Sequence, residues 1–253
     1  MPQFYLPGPW ESQKPTPLTP EVAHHLRVRR IQTGESFPVF DGKGQVAQAE
    51  LLSLSGKTGQ AQLSDIRLDT HRETPYAITL AQGLAGGDKM DWIVEKAVET
   101  GAQVIAPVQC ERSILKLTRT SDLERAQKRQ THWMGIIQAA CEQCDRTVLT
   151  RLEPIQTFDA YLQSAPQAKL KLLLSPDATK TMYSVLIDTD PQDIVLMIGP
   201  EGGHSPEEEA QAQAVGYQIV SLGERVLRTE TAGVVAITTV HSIWNPEMQN
   251  RLK

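Results

Sequence analysis

The sequence predicts an α/β protein built on a parallel sheet and preceded by a small β-barrel domain. Three observations carry that reading. Residues 76–108 run as apolar strand, amphipathic helix and apolar strand, an order that places strands parallel. Residues 1–70 are β-rich, with apolar-leaning runs flanking Asp41-Gly42 as in a hairpin. Near the C-terminus, two further apolar strands each end in a glycine-bearing turn. The boundary falls in the polar, proline-bearing stretch THRETP (70–75), so residues 1–72 and 73–253 are read as two domains.

Bulk composition narrows the class. The 253 residues are 40% hydrophobic and 22% charged, an ordinary globular mixture, and only 5% aromatic, so the core should be aliphatic. There is no run of about 18 apolar residues, so no membrane span is expected. The N-terminus lacks the basic-then-apolar order of a secretory leader. Three cysteines, an odd number, argue against a disulfide framework and fit a reducing cytoplasm, the expected location. The net charge of −5 does not advertise a nucleic-acid binder. Its distribution is uneven: residues 112–151 hold 8 basic and 4 acidic side chains. An anionic partner would be met by patches, not by the whole surface.

The elements follow in order. Thr19-Pro20-Glu21 starts a short helix that ends in Arg27-Val28-Arg29-Arg30. Those arginines suit either a dipole-favoured helix end or a basic edge for RNA. His24 and His25 are adjacent and face different ways, unlike a metal pair. Strands at 37–40 and 45–52 flank the turn Asp41 to Gly44. Gly56-Lys57-Thr58 lacks the earlier glycine of a phosphate loop and reads as a turn before the strand 60–68. After the strand 76–84, Ala85 to Asp88 breaks the pattern. The helix 89–100 pairs Ile93 with Ala97 and Val94 with Val98, and Gly101 stops it before the strand 104–108.

Ser121-Asp122-Leu123-Glu124 is a capping box that opens a long helix to about Cys144, with Trp133, Ile136, Ile137 and Ala140 on its apolar face. Cys141 and Cys144 have CxxC spacing but no second pair or histidine set, so no metal site is expected. The strand 169–174 ends in Ser175-Pro176, and residues 177–193 hold a short helix and a loop. The strand 194–198 runs into Gly199-Pro200-Glu201-Gly202-Gly203. There Ser205 caps the next helix, Pro206 takes its first position and Glu208 completes a capping box. The strand 218–222 ends at Gly223, and the polar segment 224–230 enters a helix of small residues.

Three loops therefore gather at strand ends: 174–176, 199–203 and 222–231. In open parallel sheets ligands bind there, although tight βα turns also take glycine for backbone reasons alone. No GxGxxG follows an early strand, no Walker lysine follows the glycine turn, and no nucleophile elbow is present. Backbone amides of the glycine turn, with apolar Ile198, Leu222 and Leu227, suit a flat, partly polar heterocycle. Glu201 and Glu230 can face a cation; Arg225 and Arg228 can face an anion.

IGPEGGHSPEE followed by LGERVLRTETAGVVAI resembles the C-terminal signature of the SPOUT methyltransferases, and more particularly of the RsmE family. That family methylates N3 of a uridine near the 3′ end of small-subunit ribosomal RNA, using S-adenosylmethionine. KMDWIVEKAVETGAQVIAPVQCERS (89–113) and WMGIIQAACEQCDRTVLTRLEP (133–154) agree, and HHLRVRRIQTGE (24–35) resembles the family's PUA-like N-terminal domain. The resemblance covers nearly the whole chain. Its specific part is Gly-Pro-Glu-Gly-Gly together with Leu-Arg-Thr-Glu-Thr-Ala. Arg29 stands where the family usually has leucine, and Asp145 where glycine is common.

The resemblance implies a trefoil knot, a rare exception to the rule that connections do not thread, in a parallel sheet with helices on both faces. It implies a homodimer, S-adenosylmethionine as cofactor and 16S ribosomal RNA of the small subunit as partner, with no membrane and no metal. The donor pocket carried over by motif takes Leu174 from the first loop. It takes Ile198, Gly199, Pro200, Glu201, Gly202 and Gly203 from the second, and Leu222, Gly223, Arg225, Leu227, Thr229 and Thr231 from the third. Because uracil N3 holds its proton well above neutral pH, a base or a stabilising positive charge is needed. Arg228 suits the stabilising role and Glu230 the role of base or sulfonium contact; alternatively the two fix the loop by pairing. Arg27, Arg30, Lys89, Arg112 and Arg146 are expected phosphate contacts. Two rival readings are the same fold with a ribose 2′-hydroxyl or transfer-RNA base as acceptor, and a non-catalytic RNA-binding assembly factor.

Overall fold

The computed structural model of the chain describes residues 3–116, 120–164 and 168–245, with the backbone alone for residues 120 and 121. Two compact units emerge: residues 1–73 with 138–149, and residues 74–137 with 150–253. The first unit thus takes in a segment that a boundary at residue 72 leaves in the second.

In the first unit, β1 (Phe4–Tyr5), β2 (Pro15–Pro17), β3 (Ser36–Phe40), β4 (Gln45–Ser55) and β5 (Thr58–Leu68) form one sheet in the order β1-β3-β4-β5-β2, with α1 (Pro20–Val28) set between β2 and β3 in the chain. The hairpin forms with Phe37 opposite Ala49 and Val39 opposite Ala47. Gly42 and Gly44 carry φ of 79° and 98°, which the turn demands and glycine adopts without strain. Alternation along β4 and β5 puts Ala49, Leu51, Ala61 and Leu63 into a core with Leu26, Phe37 and Val39. Thr19 caps α1 as expected, its side chain accepting from the Val22 N–H at 3.2 Å. The segment 138–149 belongs here because its polar groups complete the sheet's own. Glu142 accepts from the Tyr5 N–H (2.9 Å), Thr147 donates to the Asp69 carbonyl (2.5 Å), and Val148 bridges Gly42. Asp145 adopts φ 59°, a left-handed conformation that glycine takes most readily and that Asp tolerates.

The second unit is a parallel sheet. Its elements are β6 (Ile78–Gly83), α2 (Lys89–Glu99), β7 (Val104–Gln109), α3 (Thr120–Cys144, whose last turns belong to the first unit), β8 (Arg151–Leu152), β9 (Gln156–Thr157), α4 (Phe158–Ser164), β10 (Leu170–Leu174), α5 (Met182–Ile187), β11 (Ile194–Ile198), α6 (Pro206–Ala214), β12 (Gln218–Val220) and α7 (Thr229–Trp244). The order is β12-β10-β11-β6-β7-β8, with β9 also on β7 and every pair parallel. β6 and β11 are buried at every position, the mark of a sheet covered on both faces. One face packs Ala81, Val195 and Met197 against Phe158 and Tyr161 of α4 and Ala212 of α6. On the other, Gly233 of α7 approaches Leu80 and Ile198. Burying each such leucine or isoleucine contributes about 1.5–3 kcal/mol.

After β12, at the sheet edge, the chain turns back to lay α7 on β6, β11 and α2 in the middle. The capping box at Ser205 and Glu208 forms in both directions. The helix α3 begins at Thr120, one residue before the Ser121 expected to cap it; both side chains lie outside the described residues.

Candidate active site

Register alone brings the three loops together. Leu174 pairs with Ile198 and with Val220, and Ile198 pairs with Gln82, so β10, β11, β12 and β6 end at one level. Their loops enclose a cavity of about 340 Å³. Leu174, Ile198, Gly199, Pro200, Glu201, Gly203, Leu222, Gly223, Arg225, Leu227, Arg228, Thr229 and Glu230 line it. Two expected residues do not. A Cβ on Gly202 would meet Arg112, not the cavity, and Thr231, whose N–H donates to the Arg228 carbonyl in the first turn of α7, is not among the lining residues. Lys89, Ser175, Pro176, Val226 and Ala232 also line the cavity. Ser175 and Pro176 are legible as the end of a strand. Lys89 is not, since it reaches the site from a helix more than 80 residues earlier in the chain.

The second loop is clamped from several sides. A Cβ at Gly83 would lie 2.5 Å from the Pro200 nitrogen, so β6 needs glycine where this loop crosses it. A Cβ at Gly199 would lie 2.9 Å from the Gly203 carbonyl carbon, so the loop folds back tightly on itself. Glu201 accepts from Lys89 Nζ (2.9 Å) and from the Gly86 N–H (3.0 Å). Burial acts to raise the Glu201 pKa, but these hydrogen bonds and the Lys89 charge together outweigh it and hold the carboxyl below its ordinary value. Arg112 Nη1 donates to the carbonyls of Gly202 and His204, each at 3.0 Å. Thr229 Oγ1 donates to the Gly199 carbonyl at 2.6 Å, tying the third loop to the second.

The third loop is exposed at its tip. Val226 is 78% exposed, and Arg225 is also in solvent. Arg228, the N-cap residue of α7, has an 84% exposed side chain, and its guanidinium stands 4.0 Å from the Glu230 carboxylate. An ion pair so long and so solvated contributes little, which leaves Arg228 free to reach across the cavity mouth. Glu230 Oε2 is buried and accepts no hydrogen bond among the described residues.

The five expected phosphate contacts separate. Arg27 and Arg30 are exposed on the first unit. Lys89 and Arg112 are committed to the glycine loop as described. Arg146 corrects the sequence reading: its side chain is 4% exposed and grips Glu73 through two hydrogen bonds, at 3.0 and 2.6 Å. A bidentate guanidinium that deeply placed holds the first unit together and does not meet a phosphate. Cys110, Cys141 and Cys144 form no disulfide among the described residues, where no His, Cys, Asp and Glu gather as a metal site either.

Known proteins share this arrangement. A family model described as an RNA methyltransferase domain matches residues 72–241, and one described as an RNA methyltransferase PUA domain matches residues 18–64. The ribosomal RNA small subunit methyltransferase E of Synechocystis is 35% identical over 89% of this chain and 72% of its own. That of Bacillus subtilis is 30% identical over 88% of each. The crystal structure of the Neisseria gonorrhoeae protein of that name, bound to S-adenosylmethionine, aligns with a TM-score of 0.86 at 36% identity, covering 96% of this chain and 98% of its own. A Legionella pneumophila protein, also solved with S-adenosylmethionine, aligns at 0.88 with 32% identity, covering 95% and 97%.

Proposed function

Because this chain belongs to the ribosomal RNA small subunit methyltransferase E family, we propose that it transfers a methyl group from S-adenosylmethionine to N3 of a uridine in 16S ribosomal RNA. The observation that carries this reading is the cavity at the ends of four parallel strands, with an exposed arginine at its mouth. Its size suits a small, largely buried ligand. Its walls suit this donor: Leu174, Ile198, Leu222 and Leu227 offer apolar surface, and the glycine loop lets backbone approach closely. S-adenosylmethionine, when bound, supplies an electrophilic methyl group on a sulfonium centre.

The chain's own residues supply the rest. Lys89, Arg112 and Thr229 hold the 199–203 loop in shape, so the pocket is formed in advance. Glu201 and Glu230 place negative charge on the cavity wall, which suits a cationic donor. Arg228 stabilises negative charge on the uracil as its N3 proton leaves. Glu230 is the nearest carboxylate to Arg228 and stands as proton acceptor or sulfonium contact. In the first unit, Arg27 and Arg30 contact RNA phosphates, and residues 1–72 act as the RNA-binding domain. The enzyme works in the cytoplasm as a homodimer. A groove between α5 and α7, edged by exposed Tyr183 and Ile187, supports an apolar contact between copies.

Two measurements test this. Calorimetry should show S-adenosylmethionine binding; none at millimolar donor would favour a non-catalytic assembly factor. Ribosomal RNA from a strain lacking the protein should lose one N3-methyluridine. An unchanged level, with a ribose or transfer-RNA methyl lost instead, would move the acceptor.

A further inference from the structure

We propose that Gln82 is a positioning residue of the methyl-donor pocket and acts through Thr229; the inference rests on the donor assignment above. Gln82 lies near the end of β6, is wholly buried and does not line the cavity. Its Nε2 donates to the Gly83 carbonyl at 3.0 Å and to Thr229 Oγ1 at 2.8 Å. Thr229 Oγ1 in turn donates to the Gly199 carbonyl at 2.6 Å. Thr229 and Gly199 both line the cavity.

The polarity of this relay follows from proton counting. A hydroxyl has one proton to give. Gln82 offers Thr229 a donor, so the Thr229 proton is left for Gly199. Turning the amide over would set its oxygen against the Gly83 carbonyl with no proton between them, so the orientation is fixed. The relay therefore runs one way, from β6 through the first residue of α7 to the end of β11. It joins the two cavity loops at the point where the glycine loop folds back on itself.

Stability alone does not explain the residue. Gln82 Oε1 is buried and has no hydrogen-bond partner among the described residues. A buried unsatisfied carbonyl is unfavourable, and an apolar side chain of the same size would avoid it. What glutamine adds here is the donor half of its amide, and that half is spent wholly on Gly83 and Thr229.

The test compares Gln82→Met, Thr229→Val and Thr229→Ser in the full chain. Donor affinity is read by calorimetry with S-adenosylmethionine, turnover by methyl transfer, and loop order by amide hydrogen exchange without donor. Gln82→Met should weaken donor binding roughly ten-fold, the order of one buried hydrogen bond, with turnover at saturating donor little changed. It should also speed exchange at the Gly203 amide, which is bonded to Pro200, while Ile105 in β7 keeps its rate. Thr229→Val breaks the relay from the other end and should match that loss, Thr229→Ser should not, and the double variant should be no worse than either single. Unchanged affinity and exchange in Gln82→Met and Thr229→Val would overturn the proposal. So would an equal rise in exchange at Ile105, which would mean a role in stability only. If the wild type binds no donor while Gln82→Met still loosens Gly203, the donor reading fails and the relay stands.

Discussion

Arg228 and His204 show how far single residues can be argued. Arg228 is exposed, weakly paired and at the cavity mouth, so its removal should act on the reaction and leave the fold intact. Arg228→Ala is expected to lower turnover by about 100-fold, as for loss of one preorganised charge-stabilising donor, with donor affinity changing far less. Equal losses in both, in steady-state and binding measurements, would assign it to the donor pocket. His204 is the opposite case: it is 7% exposed beside Phe158, and neither ring nitrogen has a partner among the described residues. Burial first, and then the Arg112 charge, push its pKa down to about 4. The unfolded chain takes up that proton near pH 6.5, the folded chain only near 4, so folding stability should fall as pH drops through that window. At pH 5 the linkage amounts to about 2 kcal/mol. Urea denaturation at pH 7 and pH 5 should show the drop, and His204→Leu should remove it. A pH dependence that survives His204→Leu would assign the effect elsewhere. Sequence alone marked Arg228 as a charge in a polar loop. It gave no sign that His204 is buried, because burial there depends on α4, which comes from over 40 residues away.

At the scale of elements, the glycine loop between β11 and α6 is built by neighbours that lie far off in sequence. Gly199 is the position where geometry is tightest: a Cβ there would overlap Gly203. Gly199→Ala should therefore displace the loop and weaken S-adenosylmethionine binding by at least about ten-fold, with a smaller effect on thermal unfolding. Gly202→Ala should do less to the donor, because its Cβ would face Arg112, 3.0 Å from that residue's Cβ, and not the cavity. Titration of both variants checks the order, and a larger loss for Gly202→Ala would mean that the loop faces the other way. The motif made this turn visible as a cluster of glycines. Which glycine faces the donor depends on the crossing with β6 and on the clamp by Arg112, and neither is local.

For the whole molecule, the division into units carries its own prediction. Residues 1–73 hold a complete hairpin and helix, yet the Tyr5 N–H and the carbonyls of Asp69 and Gly42 are bonded by residues of 138–149, and Arg146 supplies the charge that pairs with Glu73. A fragment ending at residue 73 would lose the Arg146–Glu73 pair and these backbone hydrogen bonds, roughly 0.5–1.5 kcal/mol each, together with the packing of 138–149 on the unit. Small domains have only about 5–15 kcal/mol to lose. The fragment is expected to show no cooperative thermal transition by circular dichroism. A sharp transition would show that 138–149 is dispensable to the fold of this unit.

The sequence by itself determined the class of fold, the strand and helix succession, the caps at Thr19 and Ser205, and the stretch in which the donor loops lie. Those features rest on periodicity, capping and turn chemistry, which act over a few residues. Tertiary structure alone decided that Arg146 is a buried tie and not an RNA contact, and that Arg112 holds carbonyls of the glycine loop. It also decided that Lys89 enters the cavity, and that Gln82 stands behind Thr229. A charged or amide side chain looks the same in sequence whether solvent, phosphate or a carbonyl faces it. Only the strand register and the return of α7 bring residues 82, 199 and 229 within hydrogen-bond reach.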